Sequence, residues 1–261
     1  MNRLQHILAQ KPNNLLSVFY TAGYPHKEDT ISIAQHLQDA GADFIEIGIP
    51  FSDPVADGPT IQESNKIALQ NGMCVKLLLE QLRVLRKNVS IPVILMGYLN
   101  PVLQYGVEKF IKDAAEAGAD GLILPDMPID VYEDEYRNIF HQYGITHTFL
   151  ISPTTSEKRI RQVDALSDSF IYAVSASSTT GAKKDFSPDQ IGYFQRLQQL
   201  ELKNPVLIGF GISNNHTFRT VSTYAAGAIV GSAFIQLLKN KNGASFKPAI
   251  EEFVRSLKGT V

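Results

Sequence analysis

Cysteine is almost absent from this chain. The single one, Cys74, excludes an internal disulfide and suits a reducing compartment. A run of roughly 18 apolar residues, the length a membrane-spanning helix needs, is also missing. The opening stretch "MNRLQHILAQK" holds too short an apolar segment for a signal peptide, so a soluble, cytoplasmic protein is expected. Charge of one sign is lacking too. The formal net charge is −2 with no basic stripe, which argues against nucleic acid as a partner. His6, His26, His36, His141, His147 and His216 show no metal-ligand spacing, and a serine triad or dinucleotide fingerprint lacks support. Low-complexity linkers are absent, so residues 1–261 are read as one domain.

What the chain does have is apolar material in short, regular doses. Hydrophobic residues make up 44% and charged residues 19%, enough for a large core. Strands are expected at 15–20, 43–48, 93–97, 121–125, 146–151, 170–174, 205–210 and 228–231. Most are continuously apolar rather than alternating, as parallel strands covered on both faces must be. Helically spaced segments such as "DTISIAQHLQDA" and "VEKFIKDAAEA" lie between them. Eight strand–helix units make a (β/α)8 barrel, an α/β TIM barrel, the economical fold, and the length suits one of about 250 residues. Extra helices are expected before the first strand, near 2–10, and at the end, near 248–258. "AGAD" at 40–43 and 117–120 and "AAGA" at 225–228 each precede a strand, where Gly can cap the helix before it.

Two loops stand out, both leaving the C-terminal ends of strands, where barrel enzymes place their active sites. The first lies within "FIEIGIPFSDPVADGPTIQ", residues 44–62. Glu46 sits inside the strand between Ile45 and Ile47, where a lone carboxylate is costly to desolvate. It is either half of an ion pair or a proton-transfer group of raised pKa. No other expected strand interior carries Lys or Arg, which favours proton transfer. Asp57 in "VADGPT" is either a turn former or a functional carboxylate. Thr60 with Glu63 makes a candidate capping box for the next helix, which leaves Asp57 free for another task. Asp53 in "SDP" is open in the same way. The second loop, "SASSTTGAKKDFSPDQ", follows the sixth strand. Further on, "GFGIS" (209–213) and "VGSAF" (230–234) follow strands seven and eight. Glycines there serve turns, or let backbone N–H groups approach a phosphate at the place where barrels often bind one.

Together these segments resemble one family. "EIGIPFSDPVADGPTIQ", with "TAGYP" (21–25), "GYLNPV" (97–102), "PDMP" (125–128), "GFGIS" and "GSA", is similar to the α chain of tryptophan synthase from about residue 15 to 238. The resemblance implies a cofactor-free retro-aldol cleavage of indole-3-glycerol phosphate to indole and glyceraldehyde 3-phosphate. It implies Glu46 as the proton-transfer group at indole C3 and the adjacent hydroxyl, and Asp57 as the partner of the indole N–H. Tyr172 and Thr180 would position substrate, and Phe19, Met96, Ile123 and Phe210 would wall the indole. Gly181, Gly211, Gly231 and Ser232 would bind phosphate. A β chain, carrying its own pyridoxal phosphate, would dock in an α2β2 assembly near Pro50 and Asp53, and the chain alone would be sluggish. One departure concerns the second loop, where Ser178 and Thr179 stand in place of the family's Gly and Val. An activating subunit with weak catalysis, or a related phosphate-binding barrel, are the competing readings.

Overall fold

The seven residues Leu15–Thr21 are all buried, and they form the strand (β1) around which the molecule is organised. The computed structural model describes residues 1–175, 185–239 and 241–259. The further strands are β2 (Phe44–Gly48), β3 (Val93–Met96), β4 (Gly121–Ile123), β5 (Thr146–Thr148), β6 (Leu150–Ile151), β7 (Ile171–Val174), β8 (Val206–Gly209) and β9 (Gly227–Val230). All pairings are parallel, in the order β5-β4-β3-β2-β1-β9-β8-β7-β6. The two ends of that order, β5 and β6, are separated only by Phe149. The sheet therefore closes on itself: β5 pairs with β4, and β6 with β7. The eight expected strands are all found. The fifth is broken into two pieces, because its lower half is held by one neighbour and its upper half by the other.

Helices cover the outside: α1 (Arg3–Gln10), α2 (Asp29–Asp39), α3 (Pro59–Gln70), α4 (Val75–Leu85), α5 (Leu99–Tyr105) and α6 (Val107–Ala117). Next, α7 (Ile129–Val131) runs through a π-helical turn, Tyr132–Tyr136, into α8 (Arg137–Tyr143). The chain continues through α9 (Glu157–Leu166), α10 (Pro188–Gln199), α11 (Asn215–Tyr224), α12 (Ser232–Leu238) and α13 (Phe246–Lys258). In α6 the spacing explains the packing. Phe110, Ile111, Ala114 and Ala117 share the buried face, while Lys109 and Asp113 pair across one outward turn.

Each strand is therefore buried twice. One face meets the helices, and the other fills the barrel with Leu15, Phe44, Ile94, Ile123, Leu207 and Ile229 among others. The extra N-terminal helix closes the floor of that interior. Leu4 is fully buried and joins the interior cluster. Arg3 donates to Asp120 Oδ1 at 3.1 Å, and the Asn2 amide donates to the Asp120 carbonyl at 2.7 Å. Asp120 is buried and also takes Arg86 at 2.5 Å, so the plug is tied to a satisfied ion pair.

Two local expectations change. The helix after the first long loop begins at Pro59 with Gly58 as its N-cap, so Thr60 and Glu63 form no capping box. Proline at the first helical position starts the helix earlier. Thr60 Oγ1 instead accepts from Gln236 at 2.9 Å, and Glu63 pairs with Lys239. Gly227, in the third "AGA"-type repeat, is no helix cap. It lies in β9, where a Cβ would sit 2.1 Å from the Leu15 carbonyl oxygen.

Candidate active site

The loop after β2 is held from the β3 side. The Phe51 ring packs on Tyr98 with centroids 5.3 Å apart, and the Ala56 N–H donates to Tyr98 Oη at 3.0 Å. Tyr98 in turn donates to Asp57 Oδ2 at 3.2 Å. The amide of Gln62 donates to the Asp57 carbonyl at 2.9 Å. Asp57 is thus no free turn residue. Burial raises its pKa to about 6, with the Tyr98 hydrogen bond pulling the other way.

Glu46 occupies the middle of β2, paired in register with Phe19 of β1 and Ile94 of β3. It is fully buried, and among the described residues no cation lies beside it. Among the described residues its one hydrogen-bond partner is Ser17, whose hydroxyl donates to Oε1 at 2.7 Å, and Oε2 has none. Burial raises its pKa to about 8, against the smaller lowering effect of the Ser17 bond. The ion-pair alternative falls away. A carboxyl in this setting lowers its desolvation cost by keeping its proton near neutral pH.

Above these groups a cavity of about 290 Å³ opens at the C-terminal ends of the strands. Phe19, Asp57, Met96, Tyr172 and Phe210 line it, together with Gly211, Gly231 and Ser232. Its room depends on two glycines. A Cβ at Gly48 would lie 2.7 Å from the Phe19 ring, and one at Gly209 would lie 2.3 Å from Tyr172 Oη. Both rings approach bare backbone where a Cβ would not fit. Phe210 adopts a left-handed conformation, φ 70°, which costs a non-glycine residue roughly 1 kcal/mol. Ser175 holds the strained turn by donating to the Phe210 carbonyl at 2.8 Å.

Glu46 and Ile123 are not on the cavity wall. Both adjoin it: in register Ile123 pairs with Met96, and Glu46 with Phe19, which do line it. Tyr172 lines the cavity near both carboxyls. It is buried, and the charges of Glu46 and Asp57 add to burial in raising its phenol pKa. Pro50 is buried at the start of the loop, while Asp53 is exposed beside Val55, itself 87% exposed. Thr180 and Gly181, with Ser178 and Thr179, lie outside the described residues. His147 is a core histidine packed by Tyr132, Phe140 and Phe149, its pKa lowered by burial to about 3.

Three contributors escaped the sequence reading. Tyr98 lay within the quoted segment "GYLNPV" but had no partner until the fold brought Asp57 to it. Gln236, on the cavity wall, sits in an unremarkable amphipathic helix. Ser17 had one visible signal, as the single serine in the apolar run "LLSVFY".

A family model described as tryptophan synthase alpha chain matches residues 4–259. The chain belongs to that family. Relatives bearing this name include one from Flavobacterium psychrophilum, 51% identical over 257 residues, covering 98% of this chain and all of the relative. Another, from Flavobacterium johnsoniae, is 52% identical over 258 residues, 99% of this chain and all of the relative. Among solved structures, the alpha chain from Legionella pneumophila is 33% identical with a TM-score of 0.87, covering 99% of this chain and 96% of that one. A mutant alpha-subunit from Pyrococcus furiosus is 32% identical with a TM-score of 0.86, covering 94% and 98%. The alpha reaction of tryptophan synthase cleaves indole-3-glycerol phosphate, so the chain is a carbon–carbon lyase of tryptophan biosynthesis whose indole passes to a beta subunit. Among the described residues no helix is long and apolar enough to cross a membrane.

Proposed function

We propose that Glu46 and Asp57 divide the chemistry of this cleavage between them. The observation that carries the reading is the splitting of two carboxyls by their surroundings. With pKa values of about 8 and about 6, Glu46 holds its proton at neutral pH and Asp57 is charged. Glu46 gives its proton to indole C3, which breaks the ring's aromaticity and leaves positive charge at the ring nitrogen. The Asp57 carboxylate stabilises that N–H. Glu46 then takes the proton of the hydroxyl on the carbon attached to C3. The carbon–carbon bond breaks, its electrons restore the indole ring, and the aldehyde of glyceraldehyde 3-phosphate forms. The proton count closes on Glu46, and the scheme calls for no cofactor in this chain.

The cavity wall suits the rest of the substrate. Phe19, Met96, Tyr172 and Phe210 offer apolar surface for the indole, with Ile123 backing them. Gly211, Gly231 and Ser232, with Gly181 and Thr180 of the second loop, are assigned to the phosphate end. Phosphate held away from the reacting carbon supplies binding energy that orients the glycerol chain. We assign the beta chain, with its pyridoxal phosphate, to the face carrying Asp53 in an α2β2 assembly, with buried Pro50 shaping the loop behind that surface. The single cysteine is in keeping with a cytoplasmic setting. The test is indole formation from indole-3-glycerol phosphate, with and without a cognate beta chain. Glu46→Gln and Asp57→Asn are each expected to abolish it, a loss of several kcal/mol of transition-state stabilisation at about 1.4 kcal/mol per tenfold. Near wild-type turnover in Glu46→Gln would sink the mechanism. An inactive wild type in the presence of the beta chain would point to an activating subunit instead.

A further inference from the structure

The barrel interior is apolar on nearly every strand that faces Glu46. β3 contributes Ile94, β4 Ile123, β8 Leu207 and β9 Ile229. β7 contributes Tyr172, the other titratable group turned inward among the described residues, and beyond it stands Asp57. Against this background β1 places the fully buried Ser17 hydroxyl on Glu46. In register Ser17 stands opposite Phe44, two residues before Glu46, whereas Phe19 stands opposite Glu46 and lines the cavity. The hydroxyl therefore reaches the carboxyl from the deeper layer, away from the substrate side.

We propose that Ser17 is the positioning residue of Glu46: its hydroxyl holds Oε1 and so assigns proton exchange with the substrate to Oε2. The inference rests on the reading of Glu46 given above. The terminal torsion of a glutamate is broad, and among the described residues no other hydrogen bond fixes the plane of the carboxyl. A hydroxyl donating at 2.7 Å to Oε1 fixes it. In the acid form the donated bond makes Oε1 the carbonyl oxygen, so the transferable proton sits on Oε2, the oxygen without a partner among the described residues. In the base form the same bond strengthens, because its acceptor is now charged. Ser17 therefore orients both states and favours the charged one, which opposes the effect of burial.

The test uses the complex with a cognate beta chain and compares Ser17→Ala and Ser17→Thr with wild type and Glu46→Gln. In Ser17→Ala we expect kcat to fall about tenfold with KM changed less than about twofold, because the lost bond orients the proton rather than binding substrate. The basic limb of the kcat profile, where Glu46 loses its proton, should move up by about one pH unit. Ser17→Thr, which keeps the hydroxyl, should restore both. The carboxyl band of Glu46, isolated as the infrared difference from Glu46→Gln, should titrate at correspondingly higher pH in Ser17→Ala. That readout requires a folded protein but no turnover. An unmoved basic limb with unmoved infrared titration in Ser17→Ala, while Glu46→Gln is inactive, would overturn the role of Ser17. Activity in Glu46→Gln would overturn the reading of Glu46 itself, and the inference with it.

Discussion

Replacing Glu46 by glutamine should abolish indole formation and, at the same time, make the protein more stable as the pH rises. The sign follows from linkage. Glu46 has its pKa raised by burial to about 8 in the folded chain, against 4.5 for an unburied group. Below the lower value both states hold the proton. Between the two values the folded state keeps a proton that the unfolded state has lost, so stability falls as pH rises. Each pH unit in that window costs about 1.4 kcal/mol, which places the penalty near 3 kcal/mol at neutral pH and about 5 kcal/mol above the folded pKa. Glutamine copies the neutral acid in shape: its carbonyl accepts the Ser17 hydroxyl, and its amide takes the place of the protonated Oε2. The two proteins should thus unfold at similar urea concentrations near about pH 5, then diverge steadily up to about pH 8, with the variant the more stable. Urea unfolding followed at several pH values by circular dichroism measures this directly. Parallel midpoints across the range, or a variant that becomes relatively weaker with pH, would refute the claim that Glu46 is buried as a neutral acid.

Two further expectations concern the cavity walls. Tyr98→Phe removes the donor to Asp57 and with it the effect that lowers the Asp57 pKa, so the acidic limb of activity should move to higher pH from its position near about 6, while the unfolding midpoint changes little. An unmoved limb would mean Tyr98 only braces the loop. Gly209→Ala places a methyl carbon 2.3 Å from Tyr172 Oη, and the ring must shift into the cavity. KM should rise at least tenfold with thermal stability lower by about 1–3 kcal/mol, the usual cost of overpacking, and unchanged KM would show that the ring can yield elsewhere.

Much of the fold was legible because its signals are local. Short apolar runs, most of them continuous, marked all eight strands, and the spacing of Phe110, Ile111, Ala114 and Ala117 marked a helix with one buried face. The break at Phe149 was not legible. It arises because one strand must satisfy two neighbours as the sheet closes. The capping box at Thr60 and Glu63 fitted the local rule, but Pro59 began the helix first, and both side chains found partners on α12 and its C-cap Lys239, 176 residues away in sequence.

The division at the site runs along the same line. Sequence alone placed a carboxyl in the buried strand at Glu46 and favoured proton transfer over an ion pair, because no other expected strand interior carries Lys or Arg. It also determined the family, through long motifs in order. What only the tertiary structure decided is which atoms meet. Ser17 under Glu46, Tyr98 on Asp57, and the bare backbone of Gly48 and Gly209 beneath two aromatic rings are contacts between strands or loops far apart in the chain. They depend on barrel register, which sets which residues share a layer, and no local pattern in the chain encodes that register.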